Sequence, residues 1–221
     1  MTTRAYGQFC GLARALDMVG ERWSLLIIRD LLVGPRRYTD LKQGLPRIPT
    51  NILSARLKEL EAAGIVERRL LPRPEGSVVY ALTNYGGELE TIVLAMGRWG
   101  AQRLDEPRDG EIVTTDSLVM ALRSTFHAAA ARGLRLTYEL RVGDIVIGAR
   151  VRNGKVVVQA GAFPRPDLVI ETGFAVKAIM ADEMTPVDAL ARGLVRVLGD
   201  PALLDTFVEL FHIDTLEPRA S

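Results

Sequence analysis

Few residues in this 221-residue sequence are spaced for covalent chemistry. Cys10 is the single cysteine, which excludes an intrachain disulfide and any zinc site built on several thiolates. His127 and His212 lie 85 positions apart, and neither has a serine, cysteine or carboxylate at triad or metal spacing. No glycine-rich phosphate loop follows a strand pattern. The acidic pairs Asp182 with Glu183 and Glu111 with Asp116 read as turn and cap residues. No enzyme, metal or cofactor is expected. The remaining chemistry is noncovalent, and charge locates it. The 28 basic and 27 acidic residues nearly cancel, yet residues 1–109 hold 16 against 13 and residues 110–221 hold 12 against 14. From Arg29 to Arg73 the balance is 10 basic to 5 acidic, a stretch able to meet phosphate or simply to be solvated.

Those cations need elements to carry them. Leu25, Leu26, Ile28, Leu31 and Leu32 follow a helical spacing from Trp23 to Val33, where Gly34-Pro35 ends the helix. A short helix is expected around Thr39 to Gln43. From Pro49, Ile52, Leu53, Leu57 and Leu60 recur near period 3.6 up to Gly64, a C-cap glycine. Ile65 to Leu71 and Val78 to Thr83 read as a hairpin around the turn PRPEG, whose tip holds Arg73. Asn84 is the expected cap of a helix carrying Leu89, Ile92, Val93, Met96 and Trp99. Three helices and a wing form a DNA-reading arrangement, although winged helices also contact proteins. With Leu53, Leu57 and Leu60 turned inward, Asn51, Ser54, Ala55 and Lys58 face outward, with Thr50 at the margin. Asn51 could bond an adenine edge, Ser54 either strand, and Lys58 a guanine or a phosphate. Arg36, Arg37, Arg47, Arg68, Arg69 and Arg73 are phosphate candidates that fix register without reading sequence. Arg56, beside Ile52, suits an ion pair as well as a phosphate.

Residues 105–115 have no periodicity and contain Pro and Gly, the pattern of a linker between a domain at 1–104 and another at 116–221. Beyond it a helix is expected from about Asp116 to Gly133. Leu134, Leu136, Tyr138, Leu140 and Val142 then alternate with polar residues as a half-buried strand does. Gly143-Asp144 and Asn153-Gly154 are hairpin-turn dipeptides, so 134–161 reads as a three-stranded antiparallel meander, with a fourth strand at Asp167 to Glu171. Thr185 and Pro186 open one helix, and DPALLDTFVELF forms another with Leu203, Phe207 and Phe211 on one face. The fold class is α+β in two domains.

Residues 10 to 90 resemble the HxlR-type winged helix-turn-helix regulators. The resemblance rests on Cys10, GERW before LLIIRDLL, GPRRYTDL, P-x-I-x-x-x-x-L-S-x-R-L-K-E-L-E-x-x-G-I-V-E-R, and VVYALTNYGGEL, in that order. The family's usual Lys before Trp is Arg22 here. The resemblance implies a homodimeric bacterial transcription factor, most often a repressor, that reads duplex DNA with the helix at Pro49 to Ala63. Cys10 matches the cysteine through which some members sense oxidants or electrophiles, while the plain reading is a small buried residue at a helix start. Residues 116–212 are similar to sterol-carrier-type lipid-binding domains, through PDLVIETGFAVKAIMADEMTPVDALARGLVRVLGDPALLDTFVELF. That similarity implies a sheet with helices on one side and an apolar tunnel lined by Phe163, Phe174, Ile179, Met180, Met184, Phe207 and Phe211.

The expected protein is a regulator that binds a pseudo-palindromic operator as a homodimer and answers to an apolar small molecule. Phe9 and Leu12 are expected to form the dimer contact together with Leu89, Ile92, Val93, Met96 and Trp99. The rivals are a lipid carrier or scaffold whose winged helix binds protein, a regulator whose second domain only stabilises the dimer, and a redox sensor acting through Cys10. No apolar run spans a membrane and the first residues lack a signal peptide's apolar stretch, so a cytoplasmic location and no membrane partner are expected.

Overall fold

The computed structural model describes residues 5–72, 76–105 and 107–214. Arg73, expected at the wing tip, lies outside them. The chain forms two compact units, Met1–Val93 and Leu94–Ser221.

The first unit runs α1 (Gly11–Val19), α2 (Ser24–Val33), α3 (Tyr38–Gly44), α4 (Thr50–Ala62), β1 (Val66–Leu70), β2 (Val78–Leu82) and the short α5 (Asn84–Gly87). The strands pair antiparallel with Arg68 opposite Tyr80. Arg36 bridges to Tyr80 through both backbone bonds, adding a residue of a third strand to the wing. Ile27, Ile28, Leu41, Leu53, Leu57, Leu60 and Ile65 close the core. The C-terminus of α4 closes as the glycine signal requires. Gly64 takes φ +70°, the Ile65 amide bonds the Leu60 carbonyl at 2.9 Å and the Gly64 amide bonds the Glu61 carbonyl at 3.0 Å.

α1, to which the sequence reading gave only a start at Cys10, buries Ala13 and Val19. The cap after the wing is Thr83 and not Asn84. The Thr83 hydroxyl accepts from the Gly86 amide at 3.0 Å and donates to the Gly64 carbonyl at 2.6 Å, tying the end of the wing to the end of α4. The long helix of this region, α6 (Glu90–Ala101), starts after α5. Its Leu89-Val93 side packs on the first core, whereas Arg98 Nε donates to the Ser124 carbonyl at 2.8 Å. The boundary between compact units therefore falls inside α6, earlier than residue 104.

The second unit continues with α7 (Thr115–Thr125), β3 (Arg135–Val142), β4 (Ile145–Arg152), β5 (Lys155–Ala160), β6 (Leu168–Thr172), α8 (Ala175–Met180), α9 (Pro186–Ala191), β7 (Val195–Gly199) and α10 (Ala202–Leu210). The five-stranded sheet has the order β5-β4-β3-β6-β7. β3, β4 and β5 form the expected meander, with Asn153 (φ +45°) and Gly154 (φ +80°) in the second turn. β6 lies parallel to β3 and antiparallel to β7.

α7 ends at Thr125, not at Gly133. There the chain turns away, the His127 amide bonding the Leu210 carbonyl at 2.8 Å and the His212 amide the Thr125 carbonyl at 3.0 Å. β7 is an edge strand to which the sequence reading assigned no element. Thr185 caps α9 as expected, accepting from the Asp188 amide at 3.1 Å, with Pro186 at the first helical position.

Candidate nucleic-acid interface

α4 presents the polar face that its periodicity requires. Leu53, Leu57 and Leu60 are buried, while Thr50, Asn51, Ser54 and Lys58 are exposed and Ala55 is half-buried. The helix is fastened to α3 by a residue the sequence reading did not single out. Tyr38 Oη donates to the Thr50 carbonyl at 2.9 Å and accepts from Ser54 Oγ at 3.3 Å. This tie fixes the first turn of α4 without covering Asn51. Its partners sit 12 and 16 positions from Tyr38, beyond any local sequence signal. Lys42 Nζ donates to the Pro46 carbonyl at 2.9 Å and closes the turn between α3 and α4.

The cations divide by what already holds them. Arg56 is an ion-pair residue, engaged with Glu59 and, at 3.6 Å, with Glu21. Arg69 is exposed but its Nε donates to Glu67 at 2.6 Å, so its charge is locally matched. Arg68 is exposed and stands 6.0 Å over the Tyr80 ring. Arg37 is exposed at the start of α3, its amide bonded to Asp40 at 2.9 Å, and Arg47 is exposed in the turn before α4. Arg36 is half-buried, its backbone in the wing bridge and its guanidinium donating to the Pro35 carbonyl at 3.2 Å. Thus α4 leaves Thr50, Asn51 and Lys58 as open polar side chains and the wing leaves Arg68, while the exposed Ser54 hydroxyl is tied to Tyr38.

The remaining candidate residues fall in three places. Phe9, Leu12, Ile92, Met96 and Trp99 are exposed, with Phe9 fully so and Trp99 at 73%. Leu89 and Val93 face the other way and pack on the core of the first unit, which corrects the single-stripe reading of α6. Cys10 is exposed at the N-cap of α1, which corrects its reading as a buried residue. The backbone amides of Ala13 and Leu12, at the start of α1, favour the thiolate and lower the thiol below its ordinary value, although the sulfur makes no capping hydrogen bond to them.

Of the tunnel candidates, Phe207 and Phe211 are fully buried and stack at 4.9 Å between ring centroids. Tyr138 meets Phe207 edge-on at 5.3 Å, and Phe126 lies 5.6 Å from Phe211. Burial pushes the Tyr138 hydroxyl well above its ordinary range, and it donates to the Leu203 carbonyl at 3.3 Å. Ile179 and Met180 are buried on α8, which packs against α10, and Met184 is half-buried. Phe174 is 57% exposed. Phe163 belongs to the opposite face of the sheet. It lies against Gly148, where an added Cβ would come within 2.9 Å of its ring, and Gly148 pairs with Glu139, one position out of phase with Tyr138.

Residues 18–108 match the HxlR-like helix-turn-helix family. Over 95 residues the chain is 40% identical to the HTH-type transcriptional regulator YodB of Bacillus subtilis strain 168, covering 43% of this chain and 84% of that one. The chain belongs to the HxlR family. It is also 36% identical over 96 residues to the HTH-type transcriptional regulator Mb3122 of Mycobacterium bovis, covering 43% of this chain and 60% of that protein. Among solved structures it is similar to the redox regulator HypR in its oxidised form, with 34% identity, a TM-score of 0.41 and coverage of 43% of this chain and 99% of that one. HxlR-family helix-turn-helix domains are DNA-binding transcription regulators, and the polar face of α4 lies within the matched segment. Among the described residues no helix is long and apolar enough to cross a membrane.

Proposed function

We propose that this HxlR-family chain is a homodimeric repressor in which α4 reads an operator, and in which residues 116–221 bind an apolar small molecule that changes operator affinity. The observation that carries the DNA part is the face of α4. Asn51 and Lys58 are exposed, make no side-chain hydrogen bond among the described residues, and stand on a helix fastened at its start by Tyr38 and at its end by the Gly64 cap. The exposed side of α6 and the exposed Phe9 and Leu12 support an isologous dimer contact. The layer of Ile179, Met180, Phe207 and Phe211 between helices and sheet supports an apolar effector, with Met180 and Met184 as adaptable side chains. Phe163 and Phe174 stand apart from that layer.

Selection from a random duplex pool by the full chain tests the reading. A recovered pseudo-palindrome whose binding weakens steeply with salt supports it. A pool with no enriched sequence and no salt-dependent binding would leave the winged helix as a protein-contact module.

A second reading is favoured by one observation, the exposed Cys10 at the N-cap of α1, beside backbone amides that favour its thiolate. It makes Cys10 a redox-sensing thiol. With no second cysteine in the chain, its oxidised product is a disulfide between two copies or with a small thiol. Non-reducing electrophoresis and intact mass after diamide treatment check this, since a chain that stays reduced while its operator affinity is unaltered removes it.

A further inference from the structure

The five-stranded sheet of the second unit has an apolar face, where Tyr138 meets Phe207, and a polar face carrying Glu139 and Arg141. At one end of the polar face the register sets Arg135 opposite Arg152 and Arg152 opposite Lys155. Directly opposed residues of neighbouring strands project to the same side, so three cations form a row across β3, β4 and β5. All three are exposed. None makes an ion pair among the described residues, and the carboxylates of this face are committed elsewhere. Glu139 and Glu171 are both held by Arg141, at 2.6 and 2.8 Å, and Asp167 accepts from the Thr137 amide at 2.7 Å. Like charges set directly opposite each other destabilise a sheet, and an anion bound along this row relieves that repulsion.

The shape of the row selects the anion. Strands about 4.8 Å apart place the outer cations about 10 Å apart. Over that distance one strand of a duplex passes about three phosphates, each at about 3.4 Å of axial rise. A bilayer surface calls for aromatic or long aliphatic side chains beside the cations. Here the next positions on the same face are Thr137, Arg150 and Val157, and the Arg150 guanidinium is already stacked on Phe163 at 3.9 Å. Tethering to a domain already on DNA also raises the local concentration of phosphate.

We infer that the Arg135–Arg152–Lys155 row is a second DNA contact, which grips the sugar–phosphate backbone independently of sequence; it rests on the DNA-binding reading above. The row adds affinity and salt dependence without adding base preference.

The test uses the full chain and a random-sequence duplex, with binding followed by fluorescence anisotropy over a salt series. Replacing all three cations (Arg135→Thr, Arg152→Thr, Lys155→Thr) flattens the slope of log K against log salt by about 2.7 per protomer engaged. The same variant melts no lower than wild type, because the opposed charges are gone. Asn51→Ala leaves the slope unchanged and lowers preference only on a selected operator, which separates this contact from the α4 reading. An unaltered slope in the triple variant overturns the inference while leaving the reader helix standing. A loss seen on phosphatidylserine vesicles and not on the duplex also overturns it. Wild-type chain that fails to bind any duplex overturns both this inference and the proposed function.

Discussion

In the first unit the helix α4 buries three leucines and turns Thr50, Asn51, Ser54 and Lys58 to solvent, whereas in the second unit α10 buries Leu204, Phe207, Val208 and Leu210 against a five-stranded sheet. One helix is held so that its side chains stay available. The other is held by its side chains. The fastenings of α4 are its three buried leucines and the contacts at its two ends, through Tyr38 and the Gly64 cap, so its outward face carries little of the stability. The fastenings of α10 are aromatic contacts at its middle and at its C-cap, so Phe207 and Phe211 cannot be removed without opening the layer. Substitutions on the two helices should therefore separate binding from stability.

The largest effect falls on the second unit. Phe207 is fully buried and meets both Tyr138 and Phe211. Phe207→Ala in the ligand-free chain is expected to cost about 3 to 5 kcal/mol of that unit's stability. Hydrogen exchange checks it, with amides of β3 and β6 exchanging faster while those of α4 keep their protection. Equal loss of protection in α4 would break the contrast by making the two units one cooperative body. A cost below about 1 kcal/mol would mean that Phe207 borders open space and not a packed layer.

The next effect belongs to the exposed face. Asn51→Ala is expected to weaken binding to a selected operator by about 1 to 3 kcal/mol and to relax preference at one base pair. Thermal unfolding should be within about 0.5 kcal/mol of wild type, since the side chain is exposed and unpaired in the free protein. Anisotropy titrations on the operator and on single-base variants of it measure both parts. Unchanged discrimination in this variant would move base reading away from α4.

The same contrast explains which parts of the molecule were legible in the sequence. The first unit is written in local signals: the leucine period of α4, Gly64 beyond its end and the turn between the wing strands all act within a few residues. The meander of the second unit is local too, because Asn153-Gly154 specifies its own turn. Signals fail where the partner is distant. β7 is an exposed edge strand whose assignment depends on pairing with β6, more than 20 residues away. α7 stops at Thr125 because residues 210 and 212 take its next backbone groups. In and just before α6, Leu89, Ile92, Val93, Met96 and Trp99 look alike in sequence, yet of these Leu89 and Val93 pack on the core of the first unit while Ile92, Met96 and Trp99 are exposed. Of the site, the outward residues of α4 follow from period alone, but the Tyr38 tie, the Arg69–Glu67 pair and the position of Phe163 beneath Gly148's face need the tertiary fold.

A smaller effect sharpens how α4 is held. Thr83 links the wing to Gly64 and caps α5 through one hydroxyl. Thr83→Ala is expected to cost about 1 kcal/mol, within the usual range for a lost cap. Denaturant titration reads the cost, and faster exchange of the Ile65 and Gly86 amides locates it. No change in either would leave the backbone bond from the Thr83 amide to the Ile65 carbonyl, at 3.0 Å, as the sufficient tie.

The smallest effect concerns Cys10, and its sign follows from where the sulfur sits. The thiol is exposed beside the backbone amides of Ala13 and Leu12 at the start of α1, so the folded chain favours the thiolate and the pKa is lowered. A group whose pKa is depressed by folding contributes stability above its unfolded pKa, and loses it as pH falls through the folded value. The thiolate is also the reactive form, so alkylation by iodoacetamide should reach half its limiting rate at a pH below the ~8.5 of a free cysteine. Chain unfolded in urea should return to that ordinary value, which assigns the shift to the fold of α1 and not to neighbours in sequence. Folded and unfolded chains with the same pH profile would show that the amides of Leu12 and Ala13 do not engage the sulfur in solution. The redox reading of Cys10 would then lose its physical basis, while the polar face of α4 and the packed layer of α10 would be untouched.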